Sequence, residues 1–175
     1  MFWKRLFCLC TILILLMVGG SAFAQEQEEP IHFDVTDFLS SISELDLAPY
    51  KGKVIVLQFY TAASRECVDQ LPIWQKIAEN FDPETLEVIL VHAWEGEGQR
   101  ESDQLIKQLK LEGMNIFEDE NCTLCHTLGL SEYPVSLFLD QGGSPVSGYS
   151  GLITYATLAE FLTKLGAVQL TDVAR

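Results

Sequence analysis

Basic side chains are scarce in this 175-residue chain: 11 Lys and Arg stand against 25 Asp and Glu, a net charge of −14. Such a surface repels phosphate backbones and anionic lipid, which argues against nucleic acid as a partner. Long apolar runs are also few. The one prominent run, from Leu6 to Val18, follows Lys4 and Arg5 and precedes Ser21-Ala22-Phe23-Ala24. A charged head, an apolar core and an A-x-A-like end make a secretory signal, with cleavage expected after Ala24. The run is short for a bilayer span of about 20 residues, and no other stretch is long enough, so no stable membrane span is expected after cleavage. Without Lys4 and Arg5, 9 basic side chains face 25 acidic ones, a net charge of −16. The chain is therefore expected to be periplasmic or otherwise exported, with the acidity keeping it soluble.

Cysteine is sparse as well. Cys8 and Cys10 fall in the signal, leaving Cys67, Cys122 and Cys125. Exported thiols tend to be paired, metal-bound or reactive, and three is an odd number. Only His32, His92 and His126 accompany them, without zinc-ligand spacing, so no metal site is expected. Internal repeats and low-complexity tracts are absent. About 150 mature residues suit one domain with one core.

The expected organisation is a signal at 1–24, a flexible acidic lead-in at 25–33, a domain at 34–168 and a tail at 169–175. Asp34–Leu45 has the spacing of a short helix. Val54–Tyr60 (VIVLQFY) and Leu86–Ala93 (LEVILVHA) are apolar runs of the kind found in strands covered on both faces. Between them Ser64 precedes a helical stretch, Arg65–Phe81, with Leu71, Trp74, Ile77 and Ala78 on one side and Pro72 expected to bend it. Helices are expected over Ser102–Leu111 and Asn121–Leu128, with Asn121 as cap, and a short strand over Met114–Phe117. Val135–Leu139 and Val146–Tyr149 form a hairpin around Gln141-Gly142-Gly143-Ser144. Thr157-Leu158-Ala159-Glu160 has the form of a capping box opening a final helix that stops at Gly166. Alternating strands and helices imply a parallel core with an antiparallel pair at the end.

The segment VIVLQFYTAASRECVDQLP, residues 54–72, resembles the active-site segment of thioredoxin-like proteins of the TlpA/ResA type. Phe59-Tyr60 matches that family's aromatic pair, Ala63 replaces its tryptophan, and Pro72 matches its proline. Ser64 stands where the first cysteine of W-C-x-x-C belongs, and Cys67 matches the second. Tyr133-Pro134 is similar to the family's cis-proline. Gly143, Gly151 and the closing helix follow in order, and Glu95–Phe117 corresponds to a helix–strand insert. The resemblance spans residues 45–166. It implies a thioredoxin fold, with a mixed central sheet flanked by helices and the insert before the cis-proline loop. It also implies protein thiols or disulfides as partners and no cofactor.

Thiol–disulfide exchange begins with a thiolate. Ser64 cannot form a disulfide, and its simplest role is to cap the helix. Cys67 is either an inert buried thiol or a monothiol able to trap a partner without releasing it. Arg65 would favour its thiolate, and Glu66 and Asp69 would oppose it. The peroxidase pattern P-x-x-x-[ST]-x-x-C is matched only in its second half, because Tyr60 stands at the proline position. Cys122-Thr123-Leu124-Cys125-His126 has three readings: a displaced redox pair on the same rim as Cys67, a structural pair, and the C-x-x-C-H pattern of haem c attachment. Acidic Glu118, Asp119 and Glu120 oppose thiolate there. Two functions follow from these residues, with a haem-c carrier through C-x-x-C-H as a third alternative. One is an exported thioredoxin-like protein of the thiol–disulfide oxidoreductase group, with Cys67, Cys122 and Cys125 as candidate catalytic residues. The other is a redox-inactive module that binds a protein at Tyr133 and Pro134.

Overall fold

The computed structural model describes residues 42, 45–94 and 98–170. The signal, the lead-in and most of the helix expected over Asp34–Leu45 lie outside the described residues, as do residues 171–175. No helix among the described residues is long and apolar enough to cross a membrane.

Five strands form one sheet in the order β3-β2-β1-β4-β5. β1 is Val54–Tyr60, β2 Leu86–Trp94, β3 Asn115–Glu120, β4 Val135–Leu139 and β5 Pro145–Ser150. β1, β2 and β3 run parallel, and β4 and β5 are antiparallel additions. The helices are α1 (Arg65–Asn80), α2 (Gly98–Leu109), α3 (Thr123–Thr127) and α4 (Tyr155–Leu165). This is the mixed α/β thioredoxin fold that the resemblance implies.

Alternation along β1 divides the core. Val54, Val56 and Tyr60 face one layer, with Trp74, Leu71 and Ile77 of α1, Leu105 of α2, and Leu158 and Leu162 of α4. Ile55, Leu57 and Phe59 face the other, with Leu124 and Cys125 of α3, Leu45 and Leu130. All seven β1 side chains are buried because both faces are covered. One polar pair crosses this core at matched register: the Ser136 hydroxyl donates to Gln58 Oε1 at 2.6 Å.

Four boundaries differ from the sequence expectation. α2 begins at Gly98, so Ser102 is inside it, fully buried, with its hydroxyl 3.1 Å from that of Tyr60. β3 runs on through Glu118, Asp119 and Glu120, which pair with His92, Ala93 and Trp94; charge is tolerated on an edge strand, where it also deters further pairing. α4 starts a turn before the expected capping box. Thr154 Oγ1 accepts the Thr157 N–H at 3.2 Å, and Glu160 pairs with Lys164 at 2.7 Å instead of folding back. The α3 cap is Cys122 rather than Asn121, and both residues are left-handed, at φ 52° and 58°. α1 runs unbroken through Pro72, and Gly166 ends α4 at φ 103°.

Candidate functional site

The carboxyl end of β1 delivers the chain through residues 61–64 to the start of α1. Ser64, in extended conformation, caps that helix by accepting the Cys67 N–H at 3.4 Å. Cys67 lies one turn in, at 0% exposure, within the layer holding Trp74 and Tyr60. Burial pushes its thiol pKa up. The backbone of Thr61 and the Ser64 hydroxyl offset part of that effect, and Glu66 adds to it. Arg65 is exposed and pairs with Asp69 at 3.7 Å. Tyr60 occupies the position where a peroxidase pattern needs proline. Its hydroxyl is buried, and burial raises its pKa to about 12 although the Ser102 hydroxyl works the other way.

The Tyr133–Pro134 peptide bond is cis. Val135 pairs with Phe59, so this bend sits beside the end of β1 from which the α1 start leaves. The Gly151 N–H donates to the Pro134 carbonyl at 2.8 Å, which brings the segment after β5 to the same place. Gln70 fixes that segment from below. Its Oε1 accepts the Ile153 N–H at 2.8 Å and its Nε2 donates to the Ile153 carbonyl at 3.3 Å. Three separate chain segments thus meet at one end of the sheet.

Sequence reasoning passed over Gln70. Its signal was a polar residue on the buried stripe of Cys67, Leu71, Trp74 and Ile77. It also passed over His92, 1% exposed in the middle of an apolar strand, whose Nδ1 lies 2.8 Å from Glu118 Oε2 and whose ring meets Tyr60 at 5.0 Å between centroids.

The structure does not bring Cys122 and Cys125 into one cluster with Cys67. They follow β3, at the carboxyl ends of the parallel strands, but Cys125 is buried in the opposite layer, and Cys122 packs half-buried against that layer. The rim is shared and the sheet separates the sulfurs. Asp119, 2% exposed, caps α3 in place of Asn121: its oxygens accept the Leu124 N–H at 2.8 Å and the Cys125 N–H at 3.0 Å. Tyr133 packs against the layer that holds Cys125, where its hydroxyl and the thiol act on each other. Burial drives both pKa values upward, and Asp119 pushes Cys125 further in the same direction. The haem pattern does not fit. Attachment needs both thiols and the histidine turned toward one macrocycle, whereas Cys125 is sealed against the sheet and His126 is exposed.

The AhpC/TSA family matches residues 28–145. The thiol-disulfide oxidoreductase ResA of Halalkalibacterium halodurans is 21% identical over 168 residues, 92% of this chain and 93% of that protein. A thiol-disulfide isomerase from Corynebacterium glutamicum superposes with a TM-score of 0.62 at 19% identity, over 69% of this chain and 85% of that one. The pneumococcal exposed lipoprotein thioredoxin from Streptococcus pneumoniae gives 0.59 at 24% identity, over 67% and 89%. With its strand order, cis bend and α1 start in the thioredoxin arrangement, the chain belongs to the AhpC/TSA family and is a thioredoxin-like protein similar to the ResA-type thiol–disulfide oxidoreductases.

Proposed function

We propose that this is an exported thioredoxin-like protein of the thiol–disulfide oxidoreductase group that holds extended, cysteine-bearing protein segments at the Tyr133–Pro134 bend without turning them over through α1. One observation carries this: at the helix start, where attack on a disulfide would begin, the side chain is a serine committed to capping, and the nearest sulfur is sealed from solvent. Serine cannot form the mixed disulfide, and Cys67 has neither the exposure nor the lowered pKa that a nucleophile needs. The recognition half of such a site is retained, because the cis bend, the end of β1 and the Gly151 segment are joined by backbone pairing.

Export is supported by the signal pattern at 1–24, and by a relative described as an exposed lipoprotein. The mature protein would then be the domain at 34–168 with short flanking segments, and its partners would carry thiols or disulfides. Redox turnover through Cys122 and Cys125 is the alternative. It is favoured by their placement at the cap and within the first turn of α3.

Insulin reduction by the mature protein separates the two. Background activity in the wild type and in Cys67→Ala and Cys122→Ser, together with binding of an unfolded chain, is the expected result. Turnover that disappears in Cys122→Ser would establish the alternative. Turnover that disappears in Cys67→Ala would overturn both.

A further inference from the structure

The α3 cysteines and the docking bend are one connected structure. Cys122 occupies the position before the helix whose cap Asp119 supplies, and Cys125 is buried one turn on. Both are thiols here. The Cys122 carbonyl accepts the His126 N–H at 2.8 Å, and the Cys125 carbonyl accepts the Leu130 N–H at 2.9 Å, so the backbone at both positions is held. Asp119 sits at the head of this turn through its two N–H contacts, and its carboxylate interacts with the Cys125 thiol. On the other side, Tyr133 packs against the layer that holds Cys125, and its hydroxyl acts on the Cys125 thiol. Tyr133 is the residue before the cis bond, and it packs against both core layers. The surroundings of one sulfur therefore include a buried carboxylate and the docking bend.

We propose that Cys122 and Cys125 are a dithiol switch for the bend, oxidised to an internal disulfide by a small-molecule disulfide such as oxidised glutathione, and that oxidation withdraws Cys125 from Tyr133 and loosens the Tyr133–Pro134 segment. This rests on the proposal that partner segments dock at the bend. The Cys122 thiolate attacks a sulfur of the incoming disulfide RSSR and expels one RS⁻, leaving Cys122 bonded to the remaining SR. Cys125 Sγ then attacks the Cys122 sulfur, forms the Cys122–Cys125 bond and expels the second RS⁻, while its proton passes to the Asp119 carboxylate. The protein dithiol loses two electrons, RSSR gains them to become two RSH, and Asp119 returns its proton to solvent.

The coupling is steric. Cys122 precedes α3 in left-handed conformation, Cys125 points into the core, and a disulfide needs about 3.8 Å between Cβ atoms. Cys125 Sγ must swing toward Cys122. The Tyr133 hydroxyl then loses its partner. The Gly151 N–H, bonded to the Pro134 carbonyl, reports on the result directly.

The test equilibrates the mature protein in glutathione buffers from reducing to oxidising. Disulfides are mapped by alkylation and mass spectrometry, and amide exchange is followed at Tyr133 and Gly151. A Cys122–Cys125 disulfide beside reduced Cys67 is expected, with exchange at both amides roughly two- to tenfold faster on oxidation, the equilibrium worth of one hydrogen bond. Cys122→Ser and Tyr133→Phe should each abolish the redox dependence; neither deletes a fully buried side chain. Binding of carboxymethylated insulin B chain should weaken by a similar factor in the oxidised form. Failure to form the disulfide in the most oxidising buffer overturns the switch, as does a disulfide that leaves amide exchange, or a measurable B chain affinity, unchanged. Equal binding in both states would leave the docking proposal standing. A redox-dependent bend that binds B chain in neither state would remove docking and keep the switch.

Discussion

Replacing Ser64 by cysteine should restore the missing half of the α1 site. The substitution exchanges the oxygen that accepts the Cys67 N–H at 3.4 Å for sulfur, a weak acceptor. Losing a serine cap costs about 1 kcal/mol, and this long bond puts the cost toward the lower end. Closing a four-residue loop by a disulfide to Cys67 contributes about 2 kcal/mol on the chain-entropy scale. The oxidised variant should therefore be about as stable as the wild type, or slightly more so. Reactivity changes more. An unperturbed thiol with pKa of about 8.5 is about 3% thiolate at pH 7. The helix start stabilises the anion by about 0.3–1 kcal/mol, which raises that fraction to roughly 5–15%. Cys67 falls below the unperturbed figure because its own pKa is raised, and it has no solvent access. Insulin reduction by Ser64→Cys should exceed the wild type at least tenfold, in a background of Cys122→Ser to silence α3. Adding Cys67→Ala should abolish turnover and leave mixed disulfides on the introduced thiol. A folded Ser64→Cys protein that forms no disulfide with Cys67 under oxidising conditions would refute this. So would a variant no faster than the wild type, because residue 64, half-buried at the mouth of α1, would then be out of a partner's reach.

Gln70→Ala would leave the Ile153 N–H and carbonyl without partners in a buried setting, at about 2 kcal/mol. Calorimetry should show the melting temperature falling by about 6–8 °C, and exchange at Ile153 and Gly151 should accelerate. Thr154→Ala should cost about 1 kcal/mol as a lost cap, whereas Glu160→Ala should leave melting almost unchanged; the opposite ranking would restore the capping box at Thr157. Alkaline pH should destabilise the protein. Cys67 and Tyr60 have raised pKa values when folded, so the stability tied to their neutral forms is complete below their unfolded values of about 8.5 and 10 and is lost as pH rises through the folded ones, about 12 for Tyr60. Urea melts from pH 7 to 11 should show a falling midpoint above about pH 8.5, with a shallower fall in Cys67→Ala.

The strands and the α1 helix were legible in the sequence because their signals are local. A seven-residue run that is apolar or aromatic except at Gln58, bounded by turn residues, leaves β1 few alternatives, and the Leu71, Trp74 and Ile77 stripe marks the inward side of α1. The α1 cap was equally readable, since a serine before a helical stretch needs only its own backbone. Elsewhere local rules lost to distant partners. β3 was expected to stop before Glu118, yet pairing with β2 carried it three residues further. α4 starts at Thr154, next to an Ile153 backbone held by Gln70 from 83 residues away. Asn121 looked like a cap, but Asp119 reaches two N–H groups from the end of β3.

By itself the sequence determined which chemical groups this protein has to work with: an oxygen in place of the first sulfur, one thiol a turn later, a second pair of thiols, and a proline after Tyr133. The tertiary structure alone decided which of them meet. Side chains on a strand alternate between faces, so a sheet can carry Cys67 and Cys125 on one rim and still seal them into opposite layers. Which layer each thiol enters depends on strand order and on which helix covers which face, and no stretch of neighbouring residues encodes that.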